Sequence, residues 1–412
     1  MFAQRFALIQ QRILRQDLFR PKLISSNGRG ASTDDRNVTH SITPLESMLG
    51  RHGVRFLLGM IVQVDEGNYF LEDASAQVPL FLDDAMVLTD GFITENCIVL
   101  VEGEMVDGVL HVHRIGNPII EDRAESLDSI GLQQTDIFGC MSTIAQLEDI
   151  REQEQEHDGM FVILSDLHLD KIGVMERLEF MLGKYQEIDG DLPVFVFMGN
   201  FATSSDPKTV IGYLDELANM IGNMPRLAKE GKFVFVPGPR DPGMGLVLPR
   251  PPLPNYCTQG LRSKLQHVKF ASNPCRIRYF SKELVFFRQD TLQTLRRNCI
   301  LKPRTGSDWA QHTVKTLLDQ GHLSPLPTPI YWQYDHALRL YPLPDAVILG
   351  DRVDQFFENY SSCDCINPGP FSNDFSFVVY RPIADVDKDG TTKSDVEFSA
   401  VPDEVSKEGA TA

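Results

Sequence analysis

The sequence lacks a hydrophobic run long enough to cross a lipid bilayer, which requires roughly 18 apolar residues. Apolar runs such as 161–164 and 194–198 have the length of strands. Positive charge is also scarce, since 39 Lys and Arg residues stand against 57 Asp and Glu residues, a net charge of −18. This balance argues against a surface that coats nucleic acid, because phosphate binding needs a basic face. It leaves open a protein that works beside DNA through a partner.

Cysteine is sparse and irregularly spaced. Seven cysteines, an odd number without framework spacing, favour a reducing compartment. Cys363 and Cys365 form a lone C-x-C pair, and buried thiols are a simpler interpretation than a zinc site because no second pair supplies further ligands. No pattern indicates a cofactor, and none is expected. The composition, 42% hydrophobic and 23% charged, is that of a globular protein, and 412 residues predict two or three domains.

Residues 1–42 are predicted to form an amphipathic helix and a linker. Apolar residues from Phe2 to Leu14 recur at helical spacing, and a Gly/Ser-rich stretch follows. The first thirty residues carry one acid, Asp17, and six basic groups, which are Arg5, Arg12, Arg15, Arg20, Lys22 and Arg29. Such a start also fits a mitochondrial transit peptide. We favour a helix that docks on the next domain.

Residues 43–118 are predicted to form an OB-type five-stranded barrel. Short strands follow one another from Phe56 to Val112, a hairpin turn falls at 65–68, and Gly59 lies in the first long strand, where a small barrel must coil. OB barrels can bind single-stranded nucleic acid, but this requires a positive groove, and here the strands are poor in Lys and Arg. A protein-binding barrel is therefore favoured.

Residues 119–159 are predicted to bridge to an α/β domain at 160–384. There, short continuous apolar runs alternate with helical segments, as in strands buried on both faces. Residues 385–412 carry many acids and few large apolar groups, and they are predicted to be an acidic disordered tail.

Polar residues follow the predicted strands of the α/β domain, at the edge where such folds place their sites. Asp166 and His168 directly follow one strand, and their i, i+2 spacing lets a carboxylate and an imidazole meet one cation. Asn200, Arg240 and Asp351 follow later strands. The α/β domain therefore predicts a polar cleft at one sheet edge.

The polar residues after these strands, taken together with His322, resemble the five motif blocks of the calcineurin-like metallophosphoesterases, which bind two metal ions. The resemblance implies a calcineurin-like α/β sandwich, but several ligand positions differ. The departures are Asn200 for the bridging aspartate, Pro239 and Arg240 for the ligand Asn and the catalytic His, and Asp351 and Val353 for two histidines. Asp166 and His168 match, and His322 can match the fourth block.

Neutral Asn200 cannot offset the repulsion of two dications about 3.5–4 Å apart, and Arg240 is expected to add a fixed positive charge beside them. No catalytic or metal-binding residue is therefore expected, and these positions are interpreted as vestiges of a metal site. The alternative is an active or single-metal metallophosphoesterase that uses Asp166 and His168.

An OB barrel followed by a degenerate phosphoesterase domain resembles the B-subunits of replicative DNA polymerases, and within them the second-largest (B) subunits of DNA polymerase epsilon. The stretches that carry the resemblance are 69–73, 233–243, 248–253, 273–277, 297–299, 320–326, 334–342 and 365–369. The resemblance covers about residues 1–384.

The resemblance implies a noncatalytic scaffold in the nucleus, acting in DNA replication and repair. The implied partners are the cysteine-rich C-terminal domain of the polymerase epsilon catalytic subunit and other polymerase and replisome subunits, with DNA reached mainly through the complex and no membrane. Family members usually begin with a small helical domain that contacts the replicative helicase assembly, and the residues before the barrel are too few for it. The resemblance therefore implies either that the chain is truncated or that this link is absent. Arginines 276, 278, 288, 296 and 297 form a basic cluster that is expected either to face DNA or to pair with acids.

Overall fold

A computed structural model describes most of the chain. The described residues are 2–20, 40–48, 50–129, 149–150, 153–154, 159–243, 245–303, 308–386 and 392–402. They divide into two compact units. The first comprises Met1–Asp122, Leu292–Pro327 and Arg339–Tyr341, and the second comprises Arg123–Thr291, Thr328–Leu338 and Pro342–Ala412.

The helices are, in chain order, α1 (Phe2–Arg15), α2 (Arg123–Ser129), α3 (Val174–Glu187), α4 (Pro207–Gly222), α5 (Pro225–Glu230), α6 (Gln259–Lys264), α7 (Thr291–Arg297), α8 (Trp309–Asp319) and α9 (Phe371–Asp374). Single 3-10 turns lie at Leu45–Met48, Asn255–Cys257 and Trp332–Leu338.

The strands are β1 (Arg55–Asp65), β2 (Asn68–Glu72), β3 (Gln77–Phe81), β4 (Met86–Val87), β5 (Ile93–Thr94), β6 (Ile98–Val106), β7 (Val109–Gly116), β8 (Phe161–Ser165), β9 (Val194–Met198), β10 (Lys232–Val236), β11 (His267–Phe270), β12 (Cys275–Tyr279), β13 (Lys282–Arg288), β14 (Cys299–Leu301), β15 (Ala346–Gly350), β16 (Phe356–Tyr360), β17 (Cys363–Asn367), β18 (Ser376–Val386) and β19 (Thr392–Ala400).

The first unit contains a closed barrel, which confirms the predicted OB fold. Its strands run β3-β2-β1-β6-β7, and β3 pairs again with β7 to close the circle. Alternate residues of the strands, such as Leu57, Ile61 and Val99, fill the interior. Gly59 lies where β1 passes closely over β2, because a Cβ there would come within 2.6 Å of the Leu71 side chain.

Helix α1 packs within the first unit, which confirms the predicted N-terminal helix. Its apolar face places Ile9 and Ile13 against Leu58 and Ile98 of the barrel strands. Its arginines are used internally. Arg12 is 2% exposed and donates to the backbone oxygen of Pro118 at 2.9 Å. The helix therefore docks through both its apolar and its basic side chains.

The second unit is built around two sheets, ordered β11-β10-β9-β8-β18-β19 and β12-β13-β15-β17-β16. The inner faces pack together through residues such as Ile163, Val196 and Phe286. The outer face of the first sheet is covered by α3 and α4, which contribute Leu178 and Leu214 to a second core cluster. Strands buried on both faces account for the continuous apolar runs in the sequence. This two-sheet sandwich is the predicted phosphoesterase-like architecture.

The prediction of a disordered tail over 385–412 is wrong for residues 392–400. These residues form β19, which pairs antiparallel with β18 along most of its length. Val396 packs against the inter-sheet core, while Asp395 and Glu397 pair with Arg381 on the other side. The acids of this segment thus occupy the solvent-facing positions of an alternating strand. Residues 387–391 and 403–412 lie outside the described residues.

The compact units divide the chain differently from the sequence pattern. The segment Leu292–Pro327, expected within the α/β domain at 160–384, groups with the barrel unit instead. Much of the predicted bridge at 119–159 and of the predicted linker before residue 42 lies outside the described residues. The proposed domain boundaries therefore stay predictions. Among the helices that the structure describes, none is both long and apolar enough to pass through a membrane.

Candidate functional site

The second unit has a cluster of buried polar side chains where several strands end, at the edge predicted to form a cleft, and this cluster is called the cleft below. Asp166 follows β8 directly, and both Asp166 and His168 adopt a left-handed backbone, with φ of 52° and 40°. Residues other than glycine rarely adopt this region, and where they do, the position is often a functional one. Asp166 is 2% exposed and His168 is 5% exposed. His168 Nε2 lies 3.3 Å from Asp166 Oδ1, so the two residues meet as their spacing predicts.

Both carboxylate oxygens of Asp166 are engaged by protein donors. Oδ1 accepts from Arg288 Nη2 at 2.7 Å and from Asn200 Nδ2 at 2.8 Å. Oδ2 accepts from Arg352 Nε at 2.9 Å. Burial raises the pKa of Asp166, but the hydrogen bond from His168 and the charge of Arg288 outweigh it and hold the pKa well below its ordinary value. Asp166 is therefore an ionised carboxylate with an internal set of cationic partners.

Arg288, the last residue of β13, is completely buried. Besides Asp166, it donates from Nε to the Gly199 oxygen at 2.6 Å and from Nη1 to the Gly350 oxygen and Asp290 Oδ1, each at 2.8 Å. Burial lowers the pKa of Arg288, but the carboxylates of Asp166 and Asp290 outweigh this and raise it. A permanent positive charge thus lies at the centre of the cleft.

Asn200 and Asp241 close the cleft beside β9 and β10. Asn200 Oδ1 accepts from the backbone N–H of Arg240 at 2.8 Å. Asp241 accepts from the N–H groups of Phe201 and Gly238, at 2.8 and 2.7 Å. Burial raises the pKa of Asp241 to about 6, although these hydrogen bonds and the charge of Arg288 oppose the rise.

A glycine is required at the end of β9. A Cβ at Gly199 would lie 1.8 Å from Asp241 Oδ2 and 2.5 Å from the Gly238 nitrogen. The loops after β9 and β10 can pack this tightly only because no side chain stands between them.

The remaining positions of the motif series have other surroundings. Asp351 lies in the second unit, where Oδ2 accepts from the Thr291 N–H at 2.8 Å. Arg240 is exposed, and the charges in contact with Asp166 are those of Arg288 and Arg352, so a charge from Arg240 beside the site stays a prediction. His322 belongs to the first unit, where its Nδ1 accepts from the Ser324 N–H at 3.1 Å.

The cleft residues do not fit the metal ions that the phosphoesterase resemblance implies. A metal ligand needs an oxygen lone pair directed at the ion, and the Asp166 oxygens are directed at two guanidinium groups and an amide. Across the described ranges, no cluster of three or more His, Cys, Asp and Glu side chains is arranged to hold a metal. Cys363 and Cys365 are buried thiols of β17.

Sequence reasoning missed the two residues that dominate this cleft. Arg288 belongs to the basic cluster expected either to face DNA or to pair with acids, and it pairs with Asp166 and Asp290, but the sequence does not place it in the cleft. The sequence predicts no role for Arg352. The available signal was positional, since Arg288 ends an apolar run and Arg352 follows the Gly350-Asp351 pair. Both lie at the strand ends where Asp166 lies.

Comparison with known proteins places this architecture in a family. The family model described as "DNA polymerase epsilon subunit 2-like, OB-fold domain" matches residues 1–119, and the model for the DNA polymerase alpha/epsilon B-subunit matches residues 161–358. The DNA polymerase epsilon B-subunit of Arabidopsis thaliana is 39% identical, over 93% of this chain and 74% of its own. The chain belongs to the family of DNA polymerase epsilon B-subunits.

Animal members of the family are similarly close. DNA polymerase epsilon subunit 2 of Homo sapiens is 38% identical and that of Bos taurus 37% identical, each over 93% of this chain and 73% of the relative. The solved structure of an archaeal phosphodiesterase overlaps 58% of this chain and 99% of its own, at 11% identity and a TM-score of 0.30. The family resemblance inferred from the sequence is confirmed by the relatives.

Proposed function

We propose that this protein is a noncatalytic accessory subunit of the DNA polymerase epsilon complex, which holds the catalytic subunit during chromosomal replication and repair. Family membership supports the place in the complex. The observation that carries the noncatalytic role is the occupation of Asp166 by Arg288, at 2.7 Å in a fully buried position. A carboxylate that is paired with two guanidinium groups and an amide in this way is a poor ligand for a metal and a poor acceptor for a substrate proton.

A phosphodiesterase assay tests the noncatalytic role. The intact chain should not hydrolyse a generic phosphodiester in the presence of Mn²⁺, because the cleft offers a guanidinium where metal-dependent hydrolysis needs a metal-activated water. Asp166→Ala is the matched variant. Hydrolysis that requires Mn²⁺ and disappears in Asp166→Ala would establish the alternative, an active or single-metal phosphoesterase.

The partner that we propose is the C-terminal domain of the polymerase epsilon catalytic subunit, together with other polymerase and replisome subunits. A net charge of −18 favours a partner with a basic, compact module. DNA is then reached through the complex, and the protein works in the nucleus. An interface of this kind is expected to be lasting, with about 2,000 Å² or more buried.

Co-expression tests the partner. The full chain and the C-terminal domain of the catalytic subunit should elute together from size-exclusion chromatography at micromolar concentration. The catalytic subunit without that domain is the control and should elute separately. Separate elution of the full chain and the C-terminal domain would remove the main support for the scaffold assignment.

A further inference from the structure

The guanidinium of Arg288 is surrounded by oxygen atoms. Its acceptors are Asp166 Oδ1, Asp290 Oδ1 and the backbone oxygens of Gly199 and Gly350, all within 2.6–2.8 Å. Two carboxylates and two carbonyls around one buried positive charge are the donor types that hard divalent cations such as Mg²⁺, Mn²⁺ and Ca²⁺ prefer.

Three of these four oxygens, those of Gly199, Gly350 and Asp166, are fixed by parts of the chain other than Arg288. Gly199 and Gly350 lie at the ends of β9 and β15, where the sheets hold their backbones. The Asn200 side chain and backbone N–H hold Asp166 Oδ1, at 2.8 and 3.1 Å. Arg352 Nε lies beside the other oxygen of each carboxylate, 2.9 Å from Asp166 Oδ2 and 3.7 Å from Asp290 Oδ2. Removing the guanidinium would therefore leave Asp166 Oδ1 in place and without its strongest partner.

We propose that Arg288 is an internal cation that supplies the positive charge of a metal ion, and that its removal alone converts the cleft into a site for a hard divalent cation. The candidate ligands are the carboxylates of Asp166 and Asp290, with His168 Nε2, 3.3 Å from Asp166 Oδ1, as a nitrogen donor at their edge. The backbone oxygens of Gly199 and Gly350 would be reached through water that takes the place of the guanidinium, since hard divalent cations commonly keep several waters. In the natural chain, folding is independent of metal because this charge is covalently attached. The inference concerns the cleft itself and holds whether or not the chain associates with a polymerase.

Thermal unfolding of the full chain tests the proposal, with EDTA or with millimolar Mn²⁺. Wild type should have the same Tm in both solutions. Arg288→Ala should unfold about 10 °C lower in EDTA, because a buried carboxylate loses its counter-charge, and Mn²⁺ should restore about half of the loss. Isothermal titration should detect one Mn²⁺ bound to Arg288→Ala and none bound to wild type.

Two variants isolate the cause. The double variant Asp166→Asn/Arg288→Ala lacks both the guanidinium and the carboxylate whose charge it balances. Mn²⁺ should therefore neither bind to this variant nor raise its Tm. Arg250 is a second buried arginine, 4% exposed, whose donors contact the neutral oxygens of Gly245, Arg288 and Gln289. Arg250→Ala should lower the Tm in a way that Mn²⁺ does not repair.

Three results would overturn the proposal. One is a wild-type chain whose Tm rises with Mn²⁺ and no longer rises after Asp166→Asn. Another is an Arg288→Ala chain whose Tm is unchanged by Mn²⁺, or which stays insoluble with Mn²⁺ while Arg288→Lys is soluble. The third is equal rescue of Arg288→Ala and of the double variant, which would show that the cation acts elsewhere.

Discussion

Two buried carboxylates of the cleft have opposite pKa shifts, for reasons that the surroundings supply. Asp166 lies against Arg288 and Arg352, and these charges stabilise its ionised form. Asp241 accepts from two backbone N–H groups, and among the described residues no cation is in contact with it, so burial dominates and its pKa rises to about 6. A full positive charge in contact with a buried carboxylate thus lowers its pKa more than burial raises it, whereas hydrogen bonds from two peptide N–H groups do not.

The raised pKa of Asp241 predicts a pH-dependent contribution to stability. The folded pKa, about 6, is above the unfolded value of about 3.9, so the contribution is fully present below about pH 4 and is lost as the pH rises through 6. The stability advantage of wild type over Asp241→Asn should therefore shrink by about 3 kcal/mol between about pH 4 and pH 7. Urea unfolding followed by circular dichroism measures this difference.

The control for this measurement is Asp189→Asn, at an exposed position of the same unit. Its stability should follow that of wild type across the whole pH range. Parallel curves for wild type and Asp241→Asn would contradict the raised pKa.

At the scale of single elements, α1 and β19 show how a charged segment becomes part of a fold. Each has apolar residues on one side, which the rest of its unit covers, and charged residues that find partners within the same unit. In α1 the Arg15 guanidinium binds Glu121 through two bonds of 2.7 Å, and in β19 Asp395 pairs with Arg381 at 3.1 Å. Burial of the apolar side fixes the position of the element in its unit, and the ion pairs of the charged side are compatible with that position.

The docking of α1 predicts a large effect of one apolar substitution. Ile9 is 1% exposed, so Ile9→Ala should lower the free energy of unfolding by about 3 kcal/mol through lost burial and an unfilled cavity. Trp309 belongs to the first unit and Trp332 to the second, so urea unfolding in a Trp332→Phe background reports on the first unit. Gln11→Ala, at an exposed position of α1, should have little effect. Equal effects of the two substitutions would show that α1 does not dock.

The strand β19 predicts that a shortened chain is unstable. A chain ending at Asp385 lacks β19 and leaves the edge of β18 unpaired, which favours aggregation between strand edges. It should unfold at a lower temperature than a chain ending at Pro402, which keeps β19 whole. Light scattering during a thermal ramp measures both effects. Equal Tm and scattering for the two chains would show that β19 contributes nothing to stability.

At the scale of the whole molecule, the charge distribution opposes direct binding to nucleic acid. The net charge is −18, and several arginines are used internally: Arg5, Arg12 and Arg288 are buried, and Arg15 pairs with Glu121. A barrel that binds single strands requires a positively charged groove, and arginines that are buried or paired internally do not supply one.

The intact chain should therefore show no saturable binding to a fluorescent single-stranded oligonucleotide up to about 10 µM protein at physiological salt. Fluorescence anisotropy measures the binding, and an OB-fold protein that binds single strands is the positive control. Submicromolar binding that weakens steeply with salt would favour a single-strand binder over a scaffold.

The sequence by itself determined the fold class, because that information is local and repeated. Three patterns carry this information: the alternating strands around Gly59, continuous apolar runs such as 194–198, and the amphipathic start. Each pattern involves only neighbouring residues, and its apolar side chains are buried whichever way the strands are connected. The polar residues at strand ends were also predictable, since Asp166 and Asn200 follow such runs and parallel strands bring them to one edge. The segment at 392–400 was predicted to be disordered because the whole stretch 385–412 is rich in acids and poor in large apolar residues, which hides the short alternating pattern around Val396.

Only the tertiary structure decided what the cleft holds. Arg288 is 122 positions from Asp166 along the chain, and Arg352 is 186 positions from it. Sequence shows that an arginine ends a strand, but not whether its side chain points to solvent or into the core. That choice depends on whether a buried carboxylate and fixed carbonyl oxygens are there to receive it, because a guanidinium leaves water only where enough acceptors replace its hydration. Those acceptors come from the ends of separate strands and meet only when the sheets have formed.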